Sequence, residues 1–287
     1  RVLAAAPRPA VVAPSNATDA IGVGKGFAAL IFADDNFDGV ADAFPKTMSA
    51  TGTVVTTDVQ VTLNQGLDVF TLVGNPYSST IDTDLLTSTS TNLYGTVYSY
   101  SNSAGEFISW NGSIGSLTNG LIAPFQSFFV RNNSANASTL TVPTSARVTQ
   151  NVSKEGSAPS LITFKSTMGD LKSSAYLSFT EAGSEGKDNF DALKLAPLDV
   201  KSYLSISTFN GQSYLDINNL PAELNSSLEI PLFVTANQPV NGNWIPLDGE
   251  VTLSWPQVSS IPESWNVELI DNLTGESINM LDQTDYN

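Results

Sequence analysis

Apolar residues along this chain fall in short runs bounded by Gly, Pro, Asn and Ser, and no useful length of it repeats at the helical spacing. The run that organises its neighbours is Gly66–Asp84, GLDVFTLVGNPYSSTIDTD. Val69, Phe70, Leu72 and Val73 are the β-branched, aromatic and aliphatic types that fit a packed, pleated surface, so a buried strand is expected over Leu67–Val73. Gly74-Asn75-Pro76 stops it, since Gly and Asn tolerate positive φ and Pro fixes its own φ while holding Asn75 extended. Tyr77 is expected to fold back over the strand end with its hydroxyl in water.

The same grammar continues on both sides. Phe27–Ala33 reads as a central strand, and Thr53–Leu63 alternates through Val59, Val61 and Leu63, which buries one face and wets the other. Tyr94–Tyr100 and Glu106–Trp110 flank Ser101–Gly105 as a hairpin with a five-residue loop. Ser127–Asn132 and Ser138–Val142 complete this set. Ile21–Phe27 and Ile122–Phe128 echo each other, each with an Ile followed six residues later by an aromatic that opens a strand.

Gln150–Ser160 is polar with Gly and Pro, and the domain boundary is placed there. Beyond it, strands are expected at Leu161–Lys165, Ala175–Phe179, Leu193–Leu195, Tyr203–Phe209, Ser213–Ile217, Leu228–Val234, Val251–Trp255 and Trp265–Ile270. Asn210-Gly211 reads as a type I′ hairpin turn. The expected fold is all-β: two tandem β-sandwich or jelly-roll-like domains without significant helix. Residues 1–20 form an Ala/Pro-rich linker or edge strand, 21–150 the first domain and 151–287 the second.

Composition narrows the chemistry. A formal charge of -16, from 28 acidic against 12 basic residues, argues against nucleic acid and against anionic lipid surfaces. With no cysteine and no histidine, disulfides, thiolate or imidazole metal sites and Ser-His-Asp triads are excluded. No apolar run is long enough to span a bilayer, and no intact signal peptide is visible.

Three groups of residues are candidates for a site. Asp34, Asn36, Asp38, Val40 and Asp42 place oxygen ligands at the spacing of a short Ca²⁺ loop, with Gly39 permitting the sharp turn and Val40 offering its carbonyl. The alternative is a strand-to-strand turn held by its own side-chain-to-backbone bonds. Glu181, Glu185, Asp188 and Asp191 fit no Ca²⁺ template and read as an acidic, solvated connection. Tyr98, Tyr100 and Trp110 share a hairpin and could stack on a sugar, against the alternative of core packing.

Leu72–Asp82, LVGNPYSSTID, resembles the "NLVGNPYPSTIDW" block of large secreted proteins of the Bacteroidota, upstream of their C-terminal sorting domain. Ile21–Phe27 and Ile122–Val130 look like two copies of that family's "I-x-PGQGFFV" strand. Asp188–Leu195, Ser213–Pro221, Leu228–Leu232 and Val267–Gly275 are similar to further blocks in the family's order. Ser78 departs from the usual Pro and Phe125 from the usual Gly. The resemblance implies a protein secreted or anchored at the outer cell surface, exported by the type IX machinery through a sorting domain that lies outside this chain, with the second domain stopping short of its last strand.

From this follows an expectation of a non-enzymatic structural or adhesive module whose partners are the export machinery and surface glycans or other surface proteins. The alternative is a carbohydrate-binding region of a larger secreted hydrolase.

Overall fold

The computed structural model of the chain describes residues 20–29, 31–34, 38–41, 52–87, 92–148, 159–198 and 201–287, with Pro9, Asn16, Asn36, Phe44 and Lys46 singly. The fold is all-β and of sandwich type. Its first strands are β1 (Val59–Thr62), β2 (Phe70–Gly74) and β3 (Ile81–Asp82), then a single helical turn α1 (Asp84–Thr87). β4 (Leu93–Ser101), β5 (Glu106–Trp110), β6 (Leu121–Ile122), β7 (Ser127–Asn132) and β8 (Thr139–Val142) follow. After residue 158 come β9 (Ser160–Met168), β10 (Leu171–Thr180), β11 (Ala192–Leu193), β12 (Tyr203–Phe209) and β13 (Tyr214–Pro221). The last are β14 (Leu232–Val240), β15 (Asn243–Pro246), β16 (Thr252–Ser259), β17 (Glu268–Ile270), β18 (Ser277–Asn279) and β19 (Asp285–Tyr286).

Two larger sheets carry the structure. One has the order β2-β7-β4-β5, and the other runs β15-β14-β12-β13-β10-β9-β16-β19 with β11 also paired to β13. Small two-stranded sheets β1-β8, β3-β6 and β17-β18 cover them. Alternation of side chains across each strand then decides which core each residue enters. In the four-stranded sheet Val73, Val97, Trp110, Phe128 and Val130 point into a core shared with Val59, Val61, Leu140 and Val142 of β1 and β8. Their neighbours Phe70, Leu72, Tyr98, Tyr100, Phe107 and Phe129 point the other way, into a seam shared with Leu161, Tyr176, Ala192, Leu195 and Ile217 of the larger sheet. The larger sheet repeats the device. Ile162, Phe164, Leu177, Phe179 and Ile206 face a third core, closed by Ile278, Met280, Trp265 and Val267.

Gly66–Asp84 has the central place expected of it, with details that differ. β2 begins at Phe70, because Gly66 and Asp68 take positive φ (134° and 61°) and leave Leu67 exposed. Asn75 then fixes the turn. Its Nδ2 lies 2.9, 3.2 and 3.0 Å from the carbonyls of Ser79, Ile122 and Ala123, and its Oδ1 accepts the Tyr77 N–H at 3.0 Å. The Tyr77 hydroxyl is not in water: the residue is 1% exposed, and Oη reaches the Val142 carbonyl at 2.7 Å and that of Thr57 at 3.1 Å. A buried phenol needs such an acceptor, and the edge of β8 supplies it.

Phe27–Ala33 is not a strand over its described residues, and Phe27, Ile31 and Phe32 are about half exposed. The chain pairs just before that stretch instead, through a bridge from Lys25 to Val73 and bonds from Gly26 N to Leu72 O and from Gly74 N to Gly24 O. Close approach at this point suits the glycines, since a Cβ on Gly26 would press on Leu72 and the Val73 backbone. The two echoed segments therefore flank one strand: Lys25–Gly26 on one edge of β2, β7 on the other.

Asn210-Gly211 lies in a hairpin loop of residues 210–213, and only Gly211 has positive φ. Asn210 instead accepts the N–H groups of Gln212 and Ser213 through its side chain. The I′-type pair is Asn241-Gly242, with φ of 50° and 80° between the paired residues Val240 and Asn243. The Ser101–Gly105 loop is one residue tighter than expected, because Ser101 already pairs with Glu106.

Candidate functional site

The seam between the two larger sheets holds the most unusual chemistry in the molecule. Its apolar part is aromatic: Phe70 meets Tyr98 and Phe129 edge-on at 5.6 and 6.4 Å, and Phe107 meets Phe129 at 5.8 Å. The segment 187–195 is laced onto the first sheet. Gly95 N donates to Asn189 O at 2.8 Å, Asn111 Nδ2 to Phe190 O at 3.1 Å, and Leu193 N to the Tyr98 hydroxyl at 2.8 Å.

Inside this seam sits a lysine with two carboxylates. Lys194 follows β11 and Asp216 lies in β13, on adjoining antiparallel segments, and both are 5% exposed. Lys194 Nζ is 2.9 Å from Asp216 Oδ1 and 3.6 Å from Glu106 Oε2, and donates to the Ser174 carbonyl at 2.7 Å. Glu106 reaches in from β5, where Ser173 Oγ donates to it at 3.3 Å. Ser109 Oγ, also from β5, donates to the other oxygen of Asp216. Burial pushes the Glu106 carboxyl above its usual range against the pull of the Lys194 charge. Burial opposes the Lys194 ammonium, yet the charges of Asp216 and Glu106 hold it above the ordinary lysine value. The Tyr176 phenol alongside is pushed up to about 12 by burial and by the same two carboxylates. A cleft of about 190 Å³ opens beside Glu106, lined also by Asn102, Asp170, Lys172, Lys201 and Tyr203.

The residues expected to stack on a sugar are corrected by burial. Tyr98 is 1% and Trp110 7% exposed, so neither ring has a free face. Trp110 donates from Nε1 to Asp84 at 2.7 Å and packs against Gly120, where even a Cβ would collide. Tyr100 is half-buried in an edge contact with Phe107 at 5.2 Å.

In the candidate Ca²⁺ loop, Asp34 accepts the N–H groups of Asp38 and Gly39 at 3.1 and 2.9 Å. Asn36 Oδ1 takes Asp38 N at 3.1 Å, and Asp38 Oδ1 takes Val40 N at 2.8 Å. These side-chain oxygens thus cap their own turn; Asp42 lies outside the described residues. Asp188 and Asp191 likewise serve their own segment. Asp188 accepts from Ser184, Phe190 and Asp191 N–H groups, and Asp191 from those of Asp188 and Asn219. Asp191 is fully buried rather than solvated, and burial with the nearby Asp188 charge raises its pKa to about 7.

Reasoning from sequence passed over Lys194, Asp216 and Glu106 as a group. The signal was a charge inside an apolar run, DALKL and YLDIN, where a strand with a purely apolar face would place none. No protein-family model, curated protein or solved structure matches the chain.

Proposed function

We propose that this chain is a non-enzymatic structural module of an exported cell-surface protein. The observation that carries the reading is the seam: the sheet of residues 70–132 and the sheet of residues 160–286 share one aromatic core and one buried ionic cluster. Such a junction lets load pass from one sheet to the other through packed side chains. The strongly acidic surface suits a displayed protein that must stay dispersed. Export by the type IX machinery rests on the resemblance of LVGNPYSSTID and the blocks around it. Among the described residues no helix is long and apolar enough to cross a membrane.

The test is surface proteolysis of intact source cells. The full-length protein is expected to be cleaved by external protease in normal cells and to accumulate inside when the type IX translocon is inactivated. Undiminished surface exposure without the translocon overturns the export route, and protection in normal cells overturns surface display. The competing reading, a carbohydrate-binding region of a larger hydrolase, loses two of its stacking candidates, since Tyr98 and Trp110 are buried; the cleft beside Glu106 is one place where it could be tested.

A further inference from the structure

The Lys194 cluster has a composition that plain stabilisation does not require. An ammonium and two carboxylates in a seam of aromatic rings lose hydration on all three charges, and apolar residues of similar volume generally hold such a place as well or better. What the three groups do have is reactive geometry. The amine of Lys194 lies 2.9 Å from one oxygen of Asp216, held there by the Ser174 carbonyl and by pairing of adjoining strands. Near-contact between a nucleophile and a carboxyl carbon, fixed by the fold, supplies most of the entropy that an amide-forming step needs.

We infer that Lys194 and Asp216 condense into an intramolecular isopeptide bond, with Glu106 as the group that moves the protons.

The step balances within these residues. Glu106 relays a proton from Nζ of Lys194 to Oδ1 of Asp216, and the neutral amine attacks Cγ of the carboxylic acid so formed. Negative charge develops on Oδ2, which already accepts the Ser109 hydroxyl, an oxyanion contact in place before the reaction. Two protons from Nζ finish on Oδ1 by way of Glu106; the Cγ–Oδ1 bond breaks and one water leaves. Glu106 returns to its starting form, and the remaining amide N–H keeps the Ser174 carbonyl as its acceptor. No other reactant enters. Burial favours the product, because two charges disappear from a place where charge is costly and the released water is expelled from an apolar seam. Burial also raises the proton affinity of Glu106, the property a carrier of protons between an amine and a leaving hydroxyl needs. The bond would fasten β11 to β13 covalently, directly beneath the seam, and so deepens the structural reading above without depending on where the protein is displayed.

Intact mass of the purified, denatured full chain decides it. The mass is expected to fall short of the sequence value by one water, trypsin should no longer cut after Lys194, and the peptides containing Lys194 and Asp216 should elute as one branched species. A folded wild-type chain at full sequence mass after prolonged incubation overturns the proposal. So does a missing water that maps to a linear peptide, as a succinimide at Asp38-Gly39 or Asp248-Gly249 would. Lys194→Met and Asp216→Ala should restore the full mass. Glu106→Gln should fold yet form the bond at least tenfold more slowly, and an unchanged rate in that variant removes Glu106 from its role. Because the wild-type mass is itself decisive, a variant that fails to fold does not blunt the test.

Discussion

β7 and β14 are both apolar-rich strands, yet they live in different surroundings. In β7 every residue after Ser127 is buried, because Phe128 and Val130 face one core while Phe129 faces the seam. In β14 no residue is fully buried, and on one side only β15, the last strand of that sheet among the described residues, lies beyond it. A strand in a middle layer reads as an unbroken apolar run, whereas one near an edge carries the polar half of its alternation outward. Stability is therefore concentrated in the inner layers, and the outer strands of the larger sheet are the places to open first.

Two truncations test that difference most directly. Phe128→Ala removes a ring with no exposure from between β2 and β4, and should cost about 3–5 kcal/mol in denaturant unfolding. Phe233→Ala in β14 leaves its ring neighbours Phe209 and Tyr214 still packed on each other at 5.0 Å, and should cost about 1 kcal/mol. Equal losses at the two sites would break the contrast.

A smaller effect is expected at the turn that ends β2. Asn75→Ala leaves the carbonyls of Ser79, Ile122 and Ala123 short of a donor, two of them from the chain segment that leads into β7. The loss should be about 1–3 kcal/mol, read as a lower denaturant midpoint at unchanged slope. Asn75→Asp keeps the acceptor for Tyr77 N–H but loses the donors, and should recover little of it.

Asp191 brings the comparison to pH. Its folded-state pKa is raised to about 7 by burial and by Asp188, above the ordinary value of 3.8. The folded state then binds the proton more tightly than the unfolded chain, so the contribution is present in full below about pH 4 and is lost as pH rises towards 7. Asp191→Asn should flatten that decline in a series of unfolding curves. A decline of the same slope in the variant would place its origin elsewhere.

Much of this architecture is legible in the residues, and the failures have physical causes. Val59, Val61 and Leu63 alternate and are buried as alternation demands, and SFFVRN, expected as a strand, forms β7, where the structure buries it on both sides. Phe27–Ala33 looked like a central strand because composition alone carries no information about pairing partners, and its edge of β2 is met by Lys25 and Gly26 instead. Of the four Asn-Gly pairs in the sequence, Asn119-Gly120 and Asn241-Gly242 have both residues at positive φ, and only Asn241-Gly242 has residues paired with each other immediately on either side. Tyr98 and Trp110 sit on the predicted hairpin, but which face a layer covers depends on the second sheet, which no local pattern encodes. For the same reason Glu106 could not be joined to Lys194 and Asp216: the three converge only when the two sheets stack.

The smallest change concerns the turn ahead of β7, where the resemblance marks Phe125 as standing in place of the usual glycine. Phe125 has φ of 60° and is 76% exposed, so it accepts a left-handed backbone with almost no burial in return. That conformation costs an L-residue about 1–2 kcal/mol, whereas glycine adopts it freely. Glycine in turn loses more freedom on folding, by about 0.4–1 kcal/mol, which offsets part of the gain. Phe125→Gly should therefore stabilise the protein by about 0.5–1 kcal/mol, while the matching change at Phe128 should unfold it. A loss of stability at Phe125 would mean that its ring is held by a contact within the chain, and the exposed aromatic would then be a packing element rather than a tolerated strain.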